Sequence, residues 1–394
     1  MTDRGRLRLL VFLAAALFLN TVAVRAGEFT IGYLQLKEDA RYAKTRAWAR
    51  YLTEPLGRPV SGARVAIDEV KFHGAAAGVT FALKRVKGKS VGHLVRRIGA
   101  LQEKGVRFFV TDLPAAVLEE VAGETAGRDI LLLNATARAD RLRGAACASH
   151  VAHVIPSHRM MTDALAQFLA FKKWRDVLVL RGPAKEDREI GAAFAVSARR
   201  FGLSIVDTRD FVPGKDPRQR SQNNVVLLTG GVSHDAVFVA DADGEFARAV
   251  PYGTVLARPV FGSAGMAAAA WHWAWERHGA PQLENRFRKR ARREMRDYDW
   301  GAWVAVKAIA QAVQRTRSFG FETVREFLLG PELSLDAFKG APSSFRGWNN
   351  QLRQPILLVT QNWVVARAPM QGFEHRLNHL DTLGPDEAES DCRF

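Results

Sequence analysis

The stretch from Val106 to Ala137, VRFFVTDLPAAVLEEVAGETAGRDILLLNATA, constrains the fold more than any other part of the chain. VRFFV and ILLLN are short apolar runs of the kind that become parallel strands buried on both faces. Between them, Ala116, Val117, Glu120, Val121 and Glu124 recur at helical spacing within 113–126. Strand, crossover helix and second parallel strand make one right-handed unit. Ligands of such sheets sit beyond the carboxyl ends of the strands. Here those ends are polar: Thr111-Asp112 after the first strand and Asn134-Ala135-Thr136 after the second.

The flanking sequence repeats this alternation. A strand over Phe29–Leu36, a charged helical segment over Lys37–Arg58, a helix over Ala63–His73, a strand over Val79–Val86 and a helix over Val91–Lys104 precede the central unit. After the basic connection Arg138–Ser149, a strand at Val151–Ile155 restarts the pattern. Helices are predicted over Arg159–Phe171 and Ile190–Phe201. Strands are predicted over Asp176–Leu180, Ser204–Phe211, Val225–Leu228, Ala236–Ala240 and Gly253–Ala257. From Ala267 to Leu329 the pattern turns helical, with Trp271, Trp273 and Trp275 in its first helix. Ile356–Thr360 and Trp363–Ala366 read as a closing hairpin. The fold class is α/β, with two doubly wound parallel-sheet lobes joined by a hinge and a ligand cleft between them.

The amino terminus places Arg4, Arg6 and Arg8 before an apolar run from Leu9 to Leu19, and Val24-Arg25-Ala26 supplies small residues for cleavage. This is the pattern of a secretory signal peptide over residues 1–26, with an uncleaved anchor as the alternative. The expected location is the periplasm. Loss of four arginines and one aspartate with that segment lowers the net charge from +16 to +13. Such a charge suits anionic surfaces or acidic partners; export argues against nucleic acid. Cys147 and Cys392 both lie in the exported part, so either a disulfide or two free thiols is open.

Strand-end groups expected to face the cleft are Gln35, Thr111, Asp112, Asn134, Thr136, Arg181, Asp241 and Arg258. The two arginines suit a carboxylate, because a guanidinium presents paired donors. The two aspartates suit hydroxyl or amine groups. Each of the eight has an open second role as a helix cap or loop-stabilising residue. His375 and His379 have the spacing of a ligand pair on one helix face, but no further ligand set accompanies them. The arginine-rich run from Arg286 to Arg296 is either a docking face for a membrane partner or a solvated helix surface. No GxSxG, HExxH, P-loop or post-strand GxGxxG pattern occurs, so neither an enzyme nor a cofactor site is expected.

The chain resembles the type I periplasmic solute-binding proteins of ATP-binding-cassette (ABC) transporters, the branched-chain-amino-acid-binding kind. The residues that carry the resemblance are the exported start, IGYLQL, GARVAIDEV, KKWRDVLVL, AFAVSARRFGLSIVDTRDF and DYDWGAWVAVKAIAQAV. More narrowly, Phe345-Arg346-Gly347-Trp348-Asn349-Asn350-Gln351-Leu352-Arg353-Gln354-Pro355, Gly372-Phe373 and Leu380-Asp381-Thr382-Leu383-Gly384 are similar to the subfamily associated with pyrroloquinoline-quinone (PQQ)-dependent alcohol dehydrogenase systems. The resemblance implies one lobe from 27–149 and 261–335, and a second from 150–260 and 336–394. It implies a small-molecule ligand, an inner-membrane ABC permease as partner, and a link to a quinoprotein dehydrogenase. A non-transport sensor or accessory factor for that dehydrogenase is the alternative.

The resemblance also marks departures. Amino-acid-binding members hold the ligand carboxylate on a Ser/Thr loop, which Asn134-Ala135-Thr136 resembles. A Tyr-Gly pair is missing from Lys185–Gly191, and Gly262-Ser263-Ala264-Gly265 has Ala264 where those members carry a glutamate. A buried ammonium without a counter-charge is costly, which argues against an ordinary α-amino acid.

Overall fold

A computed structural model describes residues 27–43, 55–76, 78–214 and 216–394. Among them, the first sheet has the order β2-β1-β3-β4-β5, with β1 Gly27–Leu36, β2 Val79–Gly88, β3 Phe108–Asp112, β4 Leu131–Asn134 and β5 Val151–His153. Every pairing in it is parallel. Alternation explains the double burial. Phe108, Val110, Leu131 and Leu133 face one core, while Phe109 and Leu132 face another. The first core is closed by α1 (Val60–Ala76), and the second by α2 (Val91–Gln102) and α3 (Ala115–Glu124). α3 buries Leu118, Val121 and Ala122; of the residues expected at helical spacing, Val121 is buried while Ala116, Glu120 and Glu124 are exposed. An exposed Ala116 costs little, whereas Leu118 gains from burial in a core of leucines.

The second sheet, in the order β7-β6-β8-β9, is parallel too: β6 Asp176–Arg181, β7 Ser204–Asp210, β8 Ala236–Ala240 and β9 Val260–Gly262. α4 (His158–Phe171) and α5 (Lys185–Arg200) cover one face through Leu165, Phe168, Phe194 and Ala198. Val225–Leu228, expected as a strand, lies in a short helix over Val225–Thr229. The Asn224 side chain accepts from the amides of Val226 and Leu227 and so starts the turn. Residues 253–257 form no strand; the edge strand lies instead at β9.

Residues 267–329 are not helical throughout. β10 (Ala267–Ala269) pairs antiparallel with β13 (Ile356–Val359), which pairs with β14 (Val364–Ala368). A small antiparallel pair, β11 (Leu335–Asp336) and β12 (Pro342–Ser343), lies between them in sequence. Trp271 and Trp275 are buried from turns rather than from a helix, with the Trp271 amide held by Asp297. The helices of this region are α6 (Ala280–Ala291), α7 (Asp297–Thr316) and α8 (Phe321–Leu329).

β13 joins the two halves. Leu357 and Val359 pack into the first sheet's core, and Ile356 and Leu358 into the second's. β5 pairs with β4, so the first sheet reaches past residue 150 before the chain crosses over. Phe345 and Leu352 likewise pack with the first core.

α7 sets the site. It is buried along most of its length, and two glycines allow its close seating. A Cβ at Gly301 would stand 2.6 Å from the Ala135 carbonyl oxygen, and one at Gly62 of α1 would collide with the Asp299 carbonyl. The amino end of α7 is thereby pressed against the loops that follow the strands. Of the helix expected over Lys37–Arg58, residues 44–54 lie outside the described residues. Ala40–Tyr42 forms a single 3₁₀ turn capped by Asp39.

Candidate functional site

Asp112 ends β3 at the carboxyl edge of the first sheet and is fully buried. Its carboxylate accepts from the Tyr42 hydroxyl at 2.7 Å and from Arg41 Nη2 at 3.1 Å, and Arg58 Nη1 stands 3.6 Å away. Burial raises the Asp112 pKa; Arg41, Tyr42 and Arg58 oppose that rise. Arg41 also forks onto Asp39 at 2.8–3.3 Å. The guanidiniums of Arg41 and Arg58 lie 5.3 and 4.3 Å from the centre of the Tyr42 ring.

A second group adjoins this one. Tyr298, at the start of α7, has Arg41 at 5.9 Å and Arg138 at 5.6 Å from its ring centre. Arg138 Nη2 donates to Asp297 at 2.5 Å. The second lobe reaches over this group from the amino ends of α4 and α5. The His158 amide donates to the Arg138 carbonyl, and His158 Nε2 lies 3.7 Å from Glu186. Burial, with Arg138 and Arg143 nearby, pushes the His158 pKa down to about 3, so the ring is neutral at neutral pH. Burial raises the Glu186 pKa, and Arg138 and Arg41 oppose it across the cleft. Arg141 ties Glu119 of α3 to Glu189 of α5, at 2.9 and 3.2 Å.

Four buried polar atoms of this region have no hydrogen-bond partner among the described residues: Tyr33 Oη, Asp112 Oδ2, Arg58 Nη1 and Arg138 Nη1. Buried polar groups are nearly always paired. Two of these four, Asp112 Oδ2 and Arg58 Nη1, face each other as an ion pair at 3.6 Å; the cluster stands beyond the strand ends, where sheets of this kind bind ligands.

The eight residues expected from the sequence divide. Gln35 accepts from Arg85 at 2.7 Å and, with Asp112, stands in the cluster. Asn134 folds the loop behind it: Oδ1 accepts from the amides of Thr136 and Ala137, and Nδ2 reaches the Ala137 carbonyl and His153. The hydroxyls of Thr111 and Thr136 donate to the Leu133 and Leu113 carbonyls. Arg181 forks onto Asp210 at the second sheet. Asp241 caps the turn at Phe246 and Ala247. Arg258 is exposed.

Arg41, Tyr42, Arg58, Arg138, Tyr298 and Glu186 escaped sequence reasoning. The available signals were the position of Arg138 just past the strand-end loop and the acidic start of α7.

The unusual run Phe345–Pro355 knits the crossovers. Gln351 Nε2 donates to the carbonyls of His153 and Ile155, while its Oε1 accepts from Arg143. Gln354 donates to Val154 and accepts from the buried Lys339, whose pKa is pushed far down by burial. Arg346 and Arg353 converge on Asp381, with Trp348 beside both guanidiniums. A disulfide joins Cys147 to Cys392. His375 pairs with Asp386, and no group of three or more potential metal-binding side chains occurs among the described residues. Much of the arginine-rich run folds back on acids: Arg286 on Glu69, Arg290 on Asp68 and Arg293 on Asp299.

Residues 53–364 match the family model described as periplasmic binding protein. No curated protein sequence matches the chain. Among solved structures, the chain is similar to a branched-chain amino acid ABC transporter periplasmic ligand-binding protein from Burkholderia xenovorans LB400. The identity is 15%, with 92% of this chain and 99% of that one covered and a TM-score of 0.71. An amino acid ABC transporter substrate-binding protein from Pseudomonas fluorescens Pf-5 is 14% identical, covering 94% and 100%, with a TM-score of 0.69. An ABC transporter solute-binding protein from R. palustris, in complex with benzoate, is 12% identical, covering 93% and 100%, with a TM-score of 0.64. At these identities the likeness is one of fold.

Proposed function

On the premise that this chain belongs to the periplasmic binding protein family, we propose that it is the exported solute receptor of an ABC transporter. It binds a small organic molecule between its lobes and presents the closed form to an inner-membrane permease. The observation that carries this reading is the set of buried groups without hydrogen-bond partners on Tyr33, Arg58, Asp112 and Arg138 beyond the strand ends, with Glu186 of the other lobe within electrostatic reach of Arg138 and Arg41. The neighbours named for amino-acid and benzoate binding support a ligand of that size.

The first lobe carries the ligand through Asp112, with Gln35, Asn134 and Thr136 shaping the wall behind it. The link to PQQ-dependent alcohol oxidation rests on the likeness of Phe345–Pro355 and Leu380–Gly384 to that subfamily. Since these residues serve the crossover and the tail, they bear on lineage more than on ligand choice.

The test is a thermal-shift and equilibrium-binding screen of the purified protein against carboxylates, amino acids, alcohols, aldehydes and quinone cofactors. A saturable ligand whose binding is lost in Asp112→Asn supports the reading, as does ligand-dependent stimulation of ATP hydrolysis by a reconstituted permease. Turnover of a ligand, or no ligand from any class, overturns it.

A further inference from the structure

We infer that the carboxyl-terminal tail is a strap that ties the two lobes together and limits how far they open, with the Cys147–Cys392 bond as its covalent end. This goes beyond the solute-receptor reading and does not depend on which solute is bound.

One end of the strap is anchored in the second lobe. Leu383 is fully buried in the core of the second sheet, with Met160, Phe168 and Phe194. The Gly384 amide donates to Asp163 Oδ2 at 2.8 Å, and its carbonyl accepts from Arg200 Nη1 at 2.7 Å. Gln167 Nε2 donates to Thr382 Oγ1 at 3.2 Å. Asp163 and Gln167 belong to α4, and Arg200 ends α5. The Asp163 carboxylate is fully buried and also accepts from Arg159 Nε and Ser197 Oγ. Hydrogen bonds to an ionised group are the stronger kind, so this anchor moves with the helices of its own lobe.

The other end belongs to the first lobe. Leu142 and Val151 are buried in the core that holds Leu34, Phe109 and Leu132, and Ala148 packs against it. Cys147 sits on the loop between them, its amide donating to the Gly144 carbonyl at 2.9 Å. The tail comes down onto this loop. A Cβ at Gly144 would stand 3.8 Å from the Cβ of Asp391, and the next residue, the buried Cys392, carries the disulfide. The bond therefore joins a tail held by the second sheet's helices to a loop held by the first sheet's core.

Length decides what such a link does. Eight residues lead from Gly384 to Cys392, a reach of at most about 26–29 Å when fully extended. The turn Glu387–Glu389, capped by Asp386 and with Glu389 3.7 Å from Arg200, takes up part of that length. The link cannot lengthen without unrolling this turn. A receptor whose open range is narrowed in this way loses less conformational freedom when it closes over a solute.

The experiment compares the purified protein with two variants, without added solute. Cys392→Ser removes the bond. Insertion of six Gly/Ser residues between Glu387 and Ala388 keeps the bond and adds ~20 Å of reach. It lengthens a loop of 245 residues only slightly, so the stabilisation from the bond is retained. The readouts are small-angle X-ray scattering and amide hydrogen exchange. Two amides report on the joint between the lobes: His158 N donates to the Arg138 carbonyl and Arg159 N to Asp140 Oδ1.

The expected result is a larger radius of gyration in both variants and several-fold faster exchange at those two amides. In the insertion variant the amides of β3 and β4, inside the first sheet, should stay as protected as before. If Cys392→Ser does not fold, the insertion variant decides alone. Unchanged scattering and exchange in the insertion variant overturns the inference, whatever Cys392→Ser does, because the bond then acts through stability only. Two free thiols in the denatured, unreduced protein overturn it as well. Neither result bears on solute binding, so the receptor reading is tested separately.

Discussion

Gln351 is the residue whose loss should cost the crossover most. Its amide nitrogen donates to the His153 and Ile155 carbonyls at 3.1 and 3.2 Å, and its oxygen accepts from Arg143 Nε at 2.9 Å. Gln351→Leu keeps the volume and removes these three bonds and a fourth, from Nε2 to the Leu352 carbonyl at 3.2 Å. The carbonyls are the smaller part, because His153 O keeps the Leu352 amide and Ile155 O keeps Arg143 Nη2. The larger part is Arg143 Nε, a cationic donor on a side chain with 2% exposure and its pKa already lowered to about 9 by burial. An unmet buried charged donor costs about 1.5–3 kcal/mol, and weakening three carbonyls adds about 0.5 kcal/mol, for an expected loss of about 2–3.5 kcal/mol. Urea unfolding followed by tryptophan fluorescence would measure it. In an Arg143→Met background the same substitution should cost at least ~1 kcal/mol less, because the stranded donor is gone. A loss below ~0.5 kcal/mol, or an equal loss in both backgrounds, would refute this account of the crossover.

Other consequences can be checked in the same protein. Gly301→Val drives a side chain against the Ala135 carbonyl, and should destabilise by about 2 kcal/mol or more and weaken the ligand by displacing Tyr298. Burial holds His158 at about 3 and His272 at about 4. Folded values below the unfolded value of ~6.5 mean that stability is full above that pH and lost on acidification towards 4. Asp299, raised to about 6 mainly by burial, works in the opposite sense, but the two histidines outweigh it between pH 5 and 6.5. His158→Gln should flatten the slope of unfolding free energy against pH; an unchanged slope would show that the ring titrates normally. The Cys147–Cys392 bond closes 245 residues of chain. Reduction or Cys392→Ala should cost about 2–5 kcal/mol, and a thiol count on the denatured, unreduced protein should be zero.

Much of the fold was legible because strand and crossover patterns are local. VRFFV and ILLLN announce doubly buried strands by composition, and the hairpin at 356–368 follows from its turn. Trp271, Trp273 and Trp275 misled for a definite reason: apolar content alone does not separate a buried turn from a helix. Val225–Leu228 reads as a strand but lies in a short helix, because a four-residue apolar run has no readable period.

By itself, then, the amino-acid order determined two parallel α/β sheets, the polar strand ends at Asp112 and Asn134, and the pair of cysteines available for a bond. The tertiary structure alone decided which charges meet. Arg41 and Asp112 lie 71 residues apart and Arg138 and Asp297 159, so no local pattern links either pair. Their contact depends on how deeply α7 seats on the first sheet. Gly62 and Gly301 permit that depth, and packing on both sides of the helix enforces it.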